Sequence, residues 1–147
     1  MSAGAKILLT EDDRGIAETL QRVLADGGHA VAVEKRGDEG LARAVKDTFN
    51  VVLTDLRLPG LNGLELVRPL HAARPRLPII LVTAFGTTET AIEATKLGAY
   101  DYLLKPFDLP QLLELVRRAA DSNRLMSEPV ELGQAGAFTG ADADREA

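Results

Sequence analysis

The stretch VVLTDLRLPGLNGLEL, residues 51–66, contains the change of pattern that best indicates the fold. It begins with the continuous apolar run Val51-Val52-Leu53, and the acidic residue Asp55 follows shortly after. From about Gly63 onward the apolar residues recur at helical spacing. Continuous apolar residues are typical of a strand that is covered on both faces, as in a parallel sheet. The stretch therefore predicts a buried parallel strand followed by a helix.

The same alternation extends in both directions along the chain. Amphipathic helical patterns lie between the apolar runs and after the last one; the fourth pattern begins at a cap, Thr87 or Thr88, and ends at Gly98. Five alternations predict an α/β protein with a (βα)5, doubly wound, five-stranded parallel sheet and right-handed crossovers. The remaining strand-length runs, including a weak one at residues 29–33, are Ile7-Leu8-Leu9, Ile79-Ile80-Leu81-Val82 and Tyr102-Leu103-Leu104.

Composition narrows the class of protein. The chain has 147 residues and a formal net charge of -5 without a dense run of basic residues, so we expect this chain to bind no nucleic acid. The absence of cysteine excludes disulfides and thiolate metal sites. No apolar run reaches membrane-spanning or secretory length, and we therefore expect a cytoplasmic protein without a membrane partner.

Acidic residues follow two of the predicted strands. Glu11 and Asp12 come after the first strand and Asp55 after the third, while Asp13 is expected to cap the first helix. If the first and third strands are neighbours, the three carboxylates meet in the crevice at the carboxyl edge of the sheet. Carboxylates that lie this close repel one another unless a cation is bound. Because the chain has no cysteine and no suitable histidine pair, the cation is expected to be a hard ion with oxygen ligands, and Mg²⁺ fits best.

Two further strand ends carry groups suited to phosphate. Thr83 ends the fourth strand with a hydroxyl donor, and Lys105 ends the fifth with a cation. Together with a carboxylate nucleophile and a metal, they match the formation of an aspartyl phosphate on Asp55. Each residue alone has a structural interpretation as a cap, a turn former or a solvated charge, but their coincidence at successive strand ends favours function. His29 and His71 are interpreted as structural.

Four stretches of the sequence carry a family resemblance. Over residues 6–124 the chain resembles the CheY-like receiver domains of two-component response regulators, and residues 85–108 look most like receivers of the NtrC (sigma-54-dependent) type. The resemblance implies a flavodoxin-like sheet with strand order 2-1-3-4-5. The matching stretches are ILLTEDD at 7–13, VVLTDLRLPGLNGLEL at 51–66, PIILVTA at 78–84 and GAYDYLLKPF at 98–107.

The resemblance also assigns roles in binding phosphate and metal. Asp55 would be the phosphoacceptor for a sensor histidine kinase. The Mg²⁺ ion would be bound directly by Asp12, through water by Glu11, and also by Asp55 and the backbone carbonyl of Arg57. Glu11 replaces the commoner aspartate of the acidic pair, and its longer arm still reaches a metal-bound water.

The remaining implied roles concern switching. Thr83 and Lys105 would bind the phosphoryl oxygens, and Tyr102 would rotate inward as Thr83 moves toward the phosphate; alternatively, Tyr102 is a core residue. The Lys105–Pro106 peptide bond would be cis. A homodimer through the helix 4–strand 5–helix 5 face is expected. Because the apolar Phe85 cannot hold an attacking water, we expect slow self-dephosphorylation.

The end of the chain differs in character from the rest. We expect residues 1–125 to form the receiver domain and residues 126–147 to form a flexible, disordered linker or tail, because the tail has too little apolar surface to offset the entropy of ordering. Receivers of the resembled type precede an ATPase domain and a DNA-binding domain, and neither motif occurs here. The tail is either the start of a linker in a larger regulator or the end of a single-domain protein.

Two other functions compete with signalling. One is a phosphatase or phosphotransferase that forms an aspartyl phosphate, but those enzymes place the nucleophile after the first strand, usually in a DxD pair, and enclose the substrate with a cap domain. The other is a phosphorylation-independent binding module with a vestigial pocket. The full set of pocket residues argues against decay, and Mg²⁺ affinity would separate the two.

Overall fold

The structure, a computed structural model, describes residues 4–84, 87–105 and 108–127. Phe85, Pro106 and the predicted tail from residue 128 onward lie outside the described residues. Strand and helix alternate five times, which confirms the predicted (βα)5 order. The elements are β1 Lys6–Thr10, α1 Arg14–Asp26, β2 Ala30–Glu34, α2 Gly37–Lys46, β3 Val51–Thr54, α3 Gly63–Ala73, β4 Ile79–Thr83, α4 Thr88–Leu97, β5 Asp101–Leu104 and α5 Leu109–Ser127.

The five strands form one parallel sheet in the order β2-β1-β3-β4-β5, as predicted. β1 and β3 are direct neighbours, and Thr10 at the end of β1 pairs with Thr54 at the end of β3. Because all strands point the same way, their carboxyl ends meet at one edge of the sheet. The residues that follow β1, β3, β4 and β5 are therefore brought together.

Two hydrophobic layers cover the sheet. One side packs against α1 and α5 and includes Leu53, whereas the other packs against α2, α3 and α4 and includes Val52. Neighbouring strand residues face opposite sides, and both of these residues are completely buried. Burial on both faces explains why the strand sequences are continuously apolar.

The helix ends follow the signals read from the sequence, with one difference. Asp13 caps α1 by accepting a hydrogen bond from the Ile16 amide at 2.9 Å. Thr87 caps α4, which ends at Gly98 with a positive φ of 115°. α5 continues to Ser127, past the predicted end near residue 124. The described residues contain no helix that is both long enough and apolar enough to cross a bilayer.

Candidate functional site

Three backbone hydrogen bonds extend the sheet beyond the carboxyl ends of its strands. These bonds hold the backbone of the candidate residues in place, so their side chains project from fixed positions at the edge of the sheet. The donors and acceptors are Glu11 N to Glu34 O at 3.0 Å, Asp55 N to Thr10 O at 3.0 Å, and Lys105 N to Thr83 O at 2.8 Å.

The predicted carboxylates converge at this edge. Glu11, Asp12 and Asp55 each offer an oxygen, and these three oxygens lie within 4.8 Å of one another. Their exposure differs: Glu11 is 3% exposed and Asp55 9% exposed, whereas Asp12 is open to solvent. The cluster is thus partly embedded in the protein and reachable from one side.

Lys105 lies between two of the carboxylates. Its Nζ is 3.4 Å from Glu11 Oε1 and 3.8 Å from Asp55 Oδ2. Burial raises the pKa of Glu11, and the nearby charge of Asp55 raises it further, while the amide of Asp13 and the Lys105 cation lower it in part. Lys105 therefore compensates a concentration of negative charge that burial would otherwise disfavour.

The two oxygens of Asp55 have different surroundings. Oδ1 accepts a hydrogen bond from the Leu56 amide at 2.7 Å, whereas Oδ2 faces Lys105. Beyond Asp55, Arg57 and Asp12 line the same open hollow. Thr83, the last residue of β4, is completely buried next to this edge. The structure thus places every predicted metal and phosphate residue at or beside one edge of the sheet.

The donor set fits a magnesium ion. Ligand oxygens around Mg²⁺ lie about 2.1 Å from the metal, and therefore roughly 3–4 Å from one another. A cluster within 4.8 Å needs only a small contraction, or one intervening water, to reach that spacing. Asp12 has the exposure that a partly hydrated ion requires, because Mg²⁺ usually keeps several of its waters.

Comparison with known proteins agrees with this geometry. Residues 7–117 match the family described as the response regulator receiver domain. The chain belongs to this family. The match covers all five strands apart from Lys6 and extends into the first half of α5, so the receiver domain accounts for most of the described structure.

Two relatives show the kind of protein in which such receiver domains occur. The chain is 40% identical over 116 residues to the response regulator protein FleR of Pseudomonas aeruginosa, covering 79% of this chain and 24% of FleR. It is 36% identical over 123 residues to the DNA-binding transcriptional regulator NtrC of Salmonella typhimurium, covering 84% of this chain and 26% of NtrC. The chain thus spans about a quarter of the length of these relatives.

Solved structures agree with the fold. A CheY-like receiver domain protein from Methanospirillum hungatei superposes with a TM-score of 0.80 at 30% identity, covering 86% of this chain and all of that one. The beryllofluoride-activated NtrC4 receiver domain dimer gives a TM-score of 0.76 at 25% identity, covering 80% of this chain and 98% of that chain. The doubly wound sheet is therefore shared with a CheY-like receiver domain protein and with a receiver domain dimer.

Sequence reasoning missed one partner of the receiver domain's predicted switch residue. The Tyr102 hydroxyl lies 2.9 Å from the Thr90 hydroxyl in the first turn of α4. Thr90 also takes part in the α4 cap, since its hydroxyl accepts from the Thr87 amide. The Thr87–Thr90 spacing could have revealed the cap, but contact with a strand twelve residues later depends on how α4 packs against β5.

Proposed function

We propose that this receiver domain accepts a phosphoryl group on Asp55 from a sensor histidine kinase in the presence of Mg²⁺. The observation that carries the proposal is the convergence of Asp55, two other carboxylates and Lys105 at one sheet edge, with Lys105 Nζ within 4 Å of two carboxylates. Asp12, Asp55 and the carbonyl of Arg57 would hold the ion directly, and Glu11 would hold it through water.

The chain's own groups suggest how the transfer proceeds. Asp55 Oδ2 attacks the phosphorus while the bond from phosphorus to the donor's imidazole nitrogen breaks, and the bonding electrons leave with the imidazole. The Leu56 amide holds Oδ1 and so orients the carboxylate. Lys105 and Thr83 bind phosphoryl oxygens. When bound, Mg²⁺ offsets the negative charge that gathers on the phosphoryl oxygens and the carboxylates.

Phosphorylation by a small-molecule donor tests the proposal. The full chain is incubated with acetyl phosphate with and without Mg²⁺, and intact mass is measured. We expect the mass of one phosphoryl group to be added only when Mg²⁺ is present, and Asp55→Asn to prevent the addition. Asp26→Asn, an exposed acid at the end of α1, is the matched control and should label like the wild type.

The competing functions give different results in the same experiment. Steady turnover of a small phosphate ester, without accumulation of phosphoprotein, would support an enzyme instead. No phosphorylation and no Mg²⁺ binding by the wild type would support a phosphorylation-independent binding module. Phosphorylation that persists in Asp55→Asn would show that another residue is the phosphoacceptor.

A switch from Asp55 to the surface is part of the proposal. Thr83 pairs with Leu104 across β4 and β5, and Leu81 pairs with Tyr102. Because side chains two residues apart on a strand share a face, Thr83 and Tyr102 lie on the same face of adjacent strands. A movement of Thr83 toward the phosphate would therefore open space on the side where Tyr102 packs.

The output surface is the face formed by α4, β5 and α5. Exposed large apolar side chains mark this face, and we infer that it forms the interface of a phosphorylation-dependent homodimer. The relationship to the NtrC4 receiver dimer supports the inference. The residues are Ile92 (51% exposed) on α4, Leu104 (48%) on β5 and Leu109 (39%) on α5, with Tyr100 (41%) just before β5.

The wider setting follows from the relatives. Since FleR and NtrC are regulators about four times longer than the matched region, we infer that the domain controls transcription through an output domain and works in the cytoplasm. In this setting the residues that follow α5 are the start of a linker to that output domain. Asp55 labelling followed by a transcription assay of the full regulator would test the assignment.

A further inference from the structure

The loop between β3 and α3 carries Arg57 and is held closely at its end. Gly63 donates its amide to the Leu56 carbonyl at 2.8 Å. A Cβ atom added at Gly63 would lie 2.5 Å from the Asp55 carbonyl oxygen, which is closer than Cβ contacts occur. The loop therefore closes back on the backbone of the predicted phosphoacceptor.

The middle of the loop rests against the beginning of α2. Gly37, the first residue of α2, donates its amide to the Pro59 carbonyl at 2.9 Å. A Cβ atom at Gly37 would lie 1.8 Å from the Leu61 carbonyl oxygen. This is an approach of one backbone to another, so no flexible side chain can move aside to accommodate a substituent.

Each of the two contacting segments, the loop and the start of α2, has a glycine where it approaches the other. Gly60 in the loop has a φ of 83°, and a Cβ atom there would lie 2.4 Å from Asp38 Oδ1. Asp38 itself accepts hydrogen bonds from two guanidinium nitrogens of Arg36, with Nε–Oδ1 at 3.0 Å and Nη2–Oδ2 at 3.1 Å. The loop between β3 and α3 thus packs closely against the start of α2.

We propose that Gly37 is a positioning residue for the cation site, acting through the loop that presents the carbonyl of Arg57. The inference rests on the proposed function, because it assigns Arg57 to Mg²⁺. With alanine at residue 37, the Leu61 carbonyl oxygen and the added Cβ atom have to separate by more than about 1 Å, and a misplacement of about 1 Å in a catalytic site can cost about a hundredfold in rate. The start of α2, the helix that precedes β3 in the chain, is therefore a determinant of Mg²⁺ affinity.

Magnesium titration of the full chain tests the inference. Binding is followed by calorimetry and by the amide shifts of Asp12 and Leu56 in wild type, Gly37→Ala and Gly28→Ala. We expect Gly37→Ala to weaken Mg²⁺ binding about tenfold or more, as substitutions of residues that orient ligands do. Gly28→Ala is the matched control: it has a φ of 96° and open space around it, so alanine strains the backbone without touching the loop.

A readout of phosphorylation adds a second criterion. Because a positioning effect acts on metal binding, Gly37→Ala should need more Mg²⁺ for half-maximal labelling by acetyl phosphate and approach the wild-type rate at saturating Mg²⁺. A merely destabilised protein would instead match Gly28→Ala in both quantities, and that result overturns the inference.

The outcomes separate the inference from the function on which it rests. Wild-type protein that binds no Mg²⁺ contradicts the proposed function itself. Wild type and Gly37→Ala with equal Mg²⁺ affinity overturn only the role of Gly37. If Gly37→Ala does not fold, the wild-type titration decides: the Gly37 amide should shift along the same saturation curve as Leu56, and an unmoved Gly37 amide refutes the coupling.

Discussion

The hydroxyl of Tyr102 on β5 lies 2.9 Å from the hydroxyl of Thr90 on α4. The Thr90 hydroxyl also donates to the Thr87 carbonyl at 2.9 Å and accepts from the Thr87 amide at 2.8 Å. Because Thr90 has a single hydroxyl proton, the phenol is the donor whenever that proton goes to Thr87. The residue predicted to act as the switch is therefore hydrogen-bonded to a residue of the α4 cap.

Removal of this hydroxyl should loosen the beginning of α4. We expect Tyr102→Phe to lower the free energy of unfolding by about 1 kcal/mol, the usual net value of one hydrogen bond. Amide exchange in the first turn of α4 should become faster, as measured by NMR. Tyr100→Phe, an exposed tyrosine just before β5, is the matched control. Unchanged exchange in Tyr102→Phe would show that the cap does not depend on the phenol.

The buried carboxyl of Glu11 predicts a pH dependence of stability in the metal-free protein. Its pKa is raised above the ordinary 4.5, chiefly by burial. Between the ordinary and the raised pKa, the unfolded chain releases the proton that the folded chain keeps, so stability falls as pH rises through this interval and then levels off. Glu11→Gln mimics the protonated form and should melt at a higher temperature than wild type at neutral pH, with EDTA present.

Melting temperatures measured over a range of pH test the predicted direction of this pH dependence. The advantage of Glu11→Gln should shrink as pH falls and disappear below the ordinary pKa of about 4.5, where both states of the wild type are protonated. Glu18→Gln, in an exposed ion pair with Arg14, is the control and should change the melting temperature little. A neutral-pH melting temperature lower than that of wild type would mean that the Lys105 interaction outweighs the burial of Glu11.

The site positions that could be predicted from the sequence are those that depend only on the direction of the strands. Asp55, Thr83 and Lys105 come at the ends of continuously apolar runs, and parallel strands bring their carboxyl ends together whatever the details of packing. The helix caps at Asp13 and Thr87 were also readable, because a cap depends on neighbours within four residues. Local and directional rules therefore predicted the sheet and the convergence of these side chains at its carboxyl edge.

Contacts between elements could not be read in this way. The approach of Gly37 to Leu61 and the bond between Thr90 and Tyr102 join residues on different elements, and they depend on how closely a helix lies against the sheet or a loop. The acidic stretch after β1 shows the same limit. Its first residue, Glu11, is the buried one because its amide continues the ladder to β2, a feature that composition does not reveal.

Lys105 should stabilise the metal-free site and lose that role when Mg²⁺ is present. We expect Lys105→Met to lower the free energy of unfolding without metal by about 2 kcal/mol, because Glu11 and Asp55 lose their nearby cation. Millimolar Mg²⁺ should then raise the melting temperature of the variant more than that of wild type. Lys96→Met, an exposed lysine in the last turn of α4, is the control. Equal Mg²⁺ effects in variant and wild type would contradict compensation by Lys105.

The apolar face of α4, β5 and α5 gives the last prediction, which concerns assembly. Ile92 is 51% exposed on α4, and burying a glutamate at a dimer interface leaves an unpaired charge. Ile92→Glu should therefore weaken the acetyl-phosphate-induced dimer about tenfold or more in sedimentation measurements, while Asp55 labelling stays unchanged. Val45→Glu, with 39% exposure on α2, adds the same charge outside the proposed interface and should dimerise like wild type. Equal weakening by both variants would indicate a nonspecific charge effect, and a fully dimeric Ile92→Glu would place the interface elsewhere.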